Sequence, residues 1–161
     1  MKKLLKIVFC VAAIALIVSG CADYRKIVLE DISITGFKLK SATCAQINLA
    51  AYVDNPTGGT FNVTDIDGLL YKDGVKFAHY NLVDPVAIQP RLKTRIPLTI
   101  EINLDDPLSV LAMGLNVKSW NKKDFMMDVH AIVRKGGLRI PFVRKNVPLD
   151  KVLERVKVRS N

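Results

Sequence analysis

Cysteine, histidine and aromatic side chains are scarce in this chain, and each scarcity removes a class of chemistry. There are three cysteines in 161 residues, and two of them, Cys10 and Cys21, lie in or at the end of an apolar leader. That leaves neither a disulfide framework nor a cysteine-ligated metal site. Cys44 stands alone at the start of an alternating apolar run and reads as a small strand-end or core residue. The two histidines, His79 and His130, form a joint metal site only if the fold brings them together. His130 falls on the polar parity of its run; His79 shares the parity of Val75 and Phe77 and is expected at a core margin. Aromatic residues make up 7% of the chain and are not interleaved with its cations, which argues against a stacking surface for nucleic acid.

Catalytic motifs are also missing. Asp65-Ile66-Asp67-Gly68 looks like a fragment of a calcium loop, but Leu69, Leu70 and Tyr71 stand where further oxygen ligands are needed. A bulge followed by a turn accounts for it. Gly58-Gly59 has no lysine or serine placed for a phosphate loop. Asp105-Asp106 reads as a helix cap rather than a carboxylate pair. The expectation is a protein without catalytic residues, metal or cofactor.

What is present begins with the leader. Lys2, Lys3 and Lys6 precede an uncharged run over residues 7–18. That run falls short of the roughly 20 residues that a spanning helix needs. A basic head, a short apolar segment and small residues at its end describe a secretory signal. Its end, Val18-Ser19-Gly20-Cys21, resembles the bacterial lipobox. The resemblance implies cleavage before Cys21, a diacylglycerol thioether on its sulfur and acylation of its new amino group. Residues 1–20 are then a lipoprotein signal peptide that forms a leader helix, 21–26 a lipidated tether, and 27–161 a single domain. The mature 141 residues keep 21 of the 24 basic residues against 15 acidic ones, a net charge of +6.

Beyond the tether, apolar residues recur with period two. Ala45, Ile47, Leu49, Ala51 and Val53 share one parity, with Gln46 and Asn48 between them, and Ile96, Leu98, Ile100, Ile102 and Leu104 alternate more cleanly. Phe125, Met127, Val129, Ala131 and Val133 repeat the pattern, and Leu138, Ile140 and Phe142 face away from Arg139 and Pro141. Such alternation marks antiparallel sheets with one dry face. Gly136-Gly137 and Lys72-Asp73-Gly74 are tight hairpin signals. A change of parity between Val63 and Ile66 predicts a bulge near Thr64-Asp65. Pro97 and Pro141 belong at edges or at outward positions. The exception to the pattern is Asp106-Pro107 followed by Leu108, Leu111, Ala112 and Leu115, which predicts one short helix over about 106–115. A weaker helical stripe runs through Leu149, Val152, Leu153 and Val156. About seven strands at this spacing predict an all-β fold, a two-sheet antiparallel sandwich, with a closed barrel as the alternative.

The stretch INLAAYVDNPTGGTFNVTDIDGLLYKDGVKFA, residues 47–78, resembles the late embryogenesis abundant type 2 family, also called the water stress and hypersensitive response domain. An alternating strand ends in Asn55-Pro56, a strand follows over residues 61–70, and a hairpin leads to Gly74-Val75-Lys76-Phe77-Ala78. Residues 91–104 look like the family's next strand. The family often has a second asparagine after the proline; this chain has Thr57. The resemblance implies a fibronectin- or immunoglobulin-like sandwich, no catalytic residues, and a role in stress protection. Independently of any family, proline ends a ladder and an asparagine before it can set the turn through its own backbone.

The remaining feature is basic. Arg91, Lys93 and Arg95 share one parity, and Arg144, Lys145, Lys151 and Arg155 crowd the C-terminal end. The latter four are candidate contacts for anionic lipid headgroups. Three functions fit: a non-catalytic, stress-protective or binding envelope lipoprotein; an adaptor that docks a protein or peptide at a sheet edge; and a lipid-handling module. The absence of aspartate directly after Cys21 favours the outer membrane, facing the periplasm, over the inner membrane. The partners expected are the membrane through the anchor and an envelope protein, with no nucleic acid.

Overall fold

The structure, a computed structural model, describes residues 23–108, 121–153 and 156–157. A 3-10 turn at Asp23–Lys26 leads into β1 (Val28–Leu39), β2 (Cys44–Asn55), β3 (Phe61–Lys72), β4 (Val75–Leu82), β5 (Val86–Ile88) and β6 (Leu92–Leu104). A second 3-10 turn at Lys122–Asp124 precedes β7 (Phe125–Lys135) and β8 (Leu138–Pro148). Helix α1 (Leu149–Leu153) and β9 (Val156–Lys157) follow. The all-β class read from the alternation is what the chain adopts.

The strands form one hydrogen-bonded sheet in the order β8-β7-β3-β4-β6-β2-β1-β9, with β5 pairing β3. Two separate sheets were expected from the sequence; β4 joins them, because it pairs β3 on one side and β6 on the other. The sheet is nonetheless curled. Laid flat, eight strands would span about 34 Å. Its two outermost strands, β8 and β9, are joined by only seven residues, 149–155, which reach at most about 28 Å when fully extended. Curling lets β2 and β6 pack against β3, β5 and β7. Ala51, Val53, Phe61, Ile88 and Ile96 form the buried cluster, flanked by Ile27, Val63 and Val133.

Local expectations meet the structure in detail. The β3–β7 register shifts between Val63 and Asp65, so the bulge sits at Thr64. No turn follows it: β3 continues through Gly68 to Lys72. Asp73 and Gly74 both take positive φ, 50° and 80°, as a type I′ hairpin requires. At the β7–β8 turn only Gly136 does so, at 58°. Pro141 lies on the edge strand β8, and Pro97 lies on β6 before its pairing with β4 begins at Ile100. The Leu108 amide donates to Asp106 Oδ1 at 2.9 Å, which makes Asp106 the cap of a helical turn at Pro107-Leu108. The rest of that predicted helix, 109–115, lies outside the described residues. The C-terminal stripe is helical only to Leu153; Val156 and Lys157 instead pair in parallel with Ile32 and Ser33.

Two facing expectations are corrected. His79 is exposed, because β4 turns Ala78 and Tyr80 inward instead. Leu138 and Phe142, expected on a dry face, are both exposed, because β8 is the outermost strand and has only β7 beside it.

Asn55 is fully buried and ties three segments together. Its Nδ2 donates to the carbonyls of Gly59 (2.9 Å) and Gln89 (3.0 Å), with Ile88 O at 3.4 Å. Its Oδ1 accepts from the Thr57 amide (3.1 Å) and the Thr57 hydroxyl (2.7 Å). Asn55→Ala is expected to cost about 3 kcal/mol or more in a urea unfolding curve, since it strands several buried backbone groups at once. Thr57→Val, which removes one hydroxyl and keeps the shape, is expected to cost only about 1 kcal/mol.

Candidate functional site

Antiparallel pairing brings four non-adjacent segments to one end of the sheet. The start of β1 is there, since Val28 lies opposite Asp54. So are the β2–β3 loop at 56–60 and the β5–β6 link at 89–91, which the Arg91 amide joins by donating to Thr57 O at 3.0 Å. The β7–β8 turn completes the set: the Lys135 ammonium sits 5.2 Å from the centre of the Phe61 ring. The chain also enters the fold at this end, through Ile27 packed against the core cluster. We call it the entry pole.

Its surface is basic and apolar together. Arg91, Arg134 and Arg139 are exposed there, and Arg134 stands directly opposite Arg139 in the β7–β8 register. Like charges in facing positions cost stability. Arg25, Lys26 and Lys135 lie nearby. Lys93 is held by Glu30 at 2.6 Å and Asp54 at 3.3 Å. Its hydrogen bonds to Glu30 and then Asp54 raise the affinity of the amine for its proton. Four large apolar side chains share this end with high exposure: Val28 (52%), Leu29 (44%), Leu92 (47%) and Leu138 (44%).

The residues singled out from sequence divide between this pole and elsewhere. Asn55 and Pro56 are at its centre. Val18, Ser19, Gly20 and Cys21 lie outside the described residues. Arg144 and Lys145 lie on the later half of β8, where the Arg144 guanidinium covers the Phe142 ring at 5.2 Å. Lys151 is on α1, which contacts the Lys122–Asp124 turn at the opposite pole. Arg155 lies outside the described residues. Arg144 is six residues along β8 from Leu138, about 20 Å from the entry pole. Sequence proximity therefore grouped cations that do not share the pole, and it missed Arg134, Arg139, Leu92 and Leu138. The only signal for these was their place beside a turn or at a strand end.

No constellation of catalytic character forms around the titratable groups described. His79 Nδ1 meets Asp105 Oδ1 at 2.9 Å, and Lys76 meets the other oxygen at 3.1 Å. His130 Nδ1 meets Asp67 Oδ1 at 2.8 Å. Each histidine thus has its own carboxylate, and among the described residues no three His, Cys, Asp or Glu side chains converge as metal ligands. Asp128 is a structural hub. Its Oδ2 accepts from the Tyr71 hydroxyl (3.1 Å), its Oδ1 from the Asn146 amide (2.9 Å) and its carbonyl from the Tyr80 hydroxyl (2.8 Å). Burial, followed by the nearby charges of Asp67 and Asp128, pushes the Tyr80 phenol well above the ordinary tyrosine range. Desolvation and the bond to Asp128 raise Tyr71 as well. Both remain neutral donors at neutral pH and lock the strands together. Gly68 makes the Tyr80 bond accessible, since a Cβ there would collide with Asp128 O and lie 2.6 Å from the Tyr80 oxygen.

Two open dents flank Arg95 on the outer face. One, of about 290 Å³, is lined by Thr35, Leu49, Ala50, Arg95 and Pro97. The other, of about 150 Å³, is lined by Glu30, Tyr52, Lys93 and Arg95 among others. Neither is the enclosed apolar channel that a lipid-handling function needs. No helix among the described residues is long and apolar enough to cross a membrane.

Two outcomes follow for stability. Gly68→Ala is expected to cost about 3 kcal/mol in denaturant unfolding, because backbone rather than a flexible side chain blocks the new methyl. The second concerns acid. The bond from His79 and then that from Lys76 hold Asp105 below its ordinary value of 3.8. A carboxyl depressed in the folded state stabilises fully above its unfolded value and loses that contribution as the pH falls through the folded one. Asp105→Asn should therefore show a flatter loss of stability than the parent below about pH 4, read as urea midpoints at pH 3 and pH 7. Because the pair is exposed, the difference should be modest.

No protein-family model matches this chain, and neither does any curated protein. Among solved structures, the crystal structure of a protein from Archaeoglobus fulgidus is similar, at 16% identity and a TM-score of 0.52. The match covers 73% of this chain and 94% of that one. A β-glucuronidase from glycoside hydrolase family 2 aligns over 71% of this chain but only 11% of its own, with 16% identity and a TM-score of 0.37, too low to bear on the fold. The archaeal similarity shows a shared fold and nothing more.

Proposed function

We propose that this protein is a non-catalytic envelope lipoprotein, anchored by a diacylglycerol thioether and an N-acyl chain on Cys21. It carries a single domain over residues 27–161 that resembles the late embryogenesis abundant type 2 family over about residues 27–145. The observation that carries the reading is the order of signals at the N-terminus. A lysine head, a 12-residue apolar run and Val18-Ser19-Gly20-Cys21 stand six residues before Ile27, which already packs on the core. Two or more acyl chains make anchoring stable, where one is marginal.

The finer fold reading, a fibronectin-like sandwich, is supported by the curl of the sheet. β2 and β6 lie over β3, β5 and β7 with the core between them. The family reading is supported by the work Asn55-Pro56 does, since this motif organises the pole through the five contacts of Asn55. Thr57, the departure from the family pattern, supplies both an amide and a hydroxyl to Asn55. The domain then binds or shields envelope components under dehydration or osmotic stress, from an outer membrane and facing the periplasm.

Replacing Cys21 by serine tests the anchor. The parent should partition with membranes and incorporate labelled palmitate; Cys21→Ser should incorporate none and leave the lipid-modified membrane pool. Equal labelling of the two would sink the reading.

A further inference from the structure

Resting on the Cys21 anchor, we propose that the entry pole is a membrane-docking face. It seats the domain on anionic lipid headgroups, with Leu138, Leu92 and Leu29 entering the interface and Arg91, Arg134 and Arg139 meeting phosphate.

Geometry brings the pole to the surface. Five residues separate Cys21 from Ile27, and four of them form a 3-10 turn. Even fully extended, that tether reaches only about 20 Å, so the end of the domain bearing Ile27 stays within one domain radius of the bilayer. The opposite pole, with the β3–β4 turn, Asp105 and α1, is held away.

The chemistry of the pole matches such a surface. Apolar side chains flanked by cations are what an interfacial element presents. Around the β7–β8 turn, residues 133–140 hold no acidic residue, while Arg134, Lys135 and Arg139 are all basic. At the pole, Glu30 and Asp54 are engaged with Lys93. Arg134 faces Arg139 in the register, a like-charge pairing that costs stability and that an anion between them would relieve.

A peptide added as a further strand on β8 is the competing occupant, and the edge is built against it. Pro141 removes a donor mid-strand, and Asn146, with φ of 53°, sits at the irregularity opposite Asp128. Arg139, Arg144 and Lys145 charge the same edge. Natural edges use proline, cations and bulges to discourage strand pairing.

Depth-dependent quenching tests the proposal. The full chain, in a Trp120→Phe background, carries a single tryptophan at Leu138→Trp or, as a control at the opposite pole, Val75→Trp. It is reconstituted through its own N-terminus into vesicles of brominated phosphatidylcholine, with or without brominated phosphatidylglycerol. The probe at 138 should be quenched when phosphatidylglycerol is present and much less without it, and the probe at 75 in neither case. Each arginine near an anionic surface shifts docking by about fivefold. Changing Arg91, Arg134 and Arg139 together to glutamine should therefore weaken the docked state by about a hundredfold. Equal quenching of both probes, or none at 138 while the chain stays on the vesicles, overturns the docking face and leaves the anchor standing. So does an unquenched probe at 138 whose site crosslinks to a protein in cells. Loss of palmitate from the parent would instead overturn the anchor.

Discussion

A carboxamide with two N–H donors and an oxygen carrying two lone pairs is the smallest side chain that can bind several backbone groups in opposite senses at once. Asn55 uses all of that capacity with no water available to replace it, because it is fully buried. Its donors close the loop at Gly59 and fix the end of β5 at Gln89, and its oxygen is filled by Thr57. An aspartate would lack the donors, and a glutamine would set the amide one methylene too far. Pro56 stops the β2 ladder at the place where this cluster begins, and Phe61, fully buried, fills the space beneath it. The core and the entry pole meet at this one residue.

The rest of the sheet follows from continuity. Among the described residues no disulfide staples it, and one half, β8-β7-β3-β4, is pinned by bonds to Asp128. Tyr71, Tyr80 and Asn146 reach Asp128 from three different strands, and Gly68 leaves the room they need. Buried polar groups satisfied in this way specify one register, because slipping a strand by one residue would strand them all. β4 is the hinge of the architecture: it pairs both halves of the sheet and turns Ala78 and Tyr80 inward. That choice sends His79 outward to Asp105.

Function, in this reading, belongs to an end of the domain rather than to a cleft. Strand starts and strand ends alternate between the two poles, so Val28, Leu92 and Leu138 arrive together although they are 64 and 46 residues apart in sequence. The conspicuous run of cations at 144–155 is not part of that end, since β8 carries Arg144 away from it and Lys151 lies on α1.

The amino-acid sequence by itself determined the local structure. Alternation marked β2, β6, β7 and β8 but not β1, Asp73-Gly74 and Gly136 marked their hairpins, the parity change marked the bulge at Thr64, and Asp106 marked its cap. Asn55-Pro56 was legible as a turn, though not as a junction of three segments. These signals act between neighbours, where sterics and backbone hydrogen bonds decide. Only the tertiary structure decided that the strands form one continuous ladder through β4 and that β9 returns in parallel to β1. It alone left Leu138 and Phe142 uncovered and set Arg134 against Arg139. Those facts depend on which distant strand lies alongside, and a period of two gives the spacing of a face without saying what covers it.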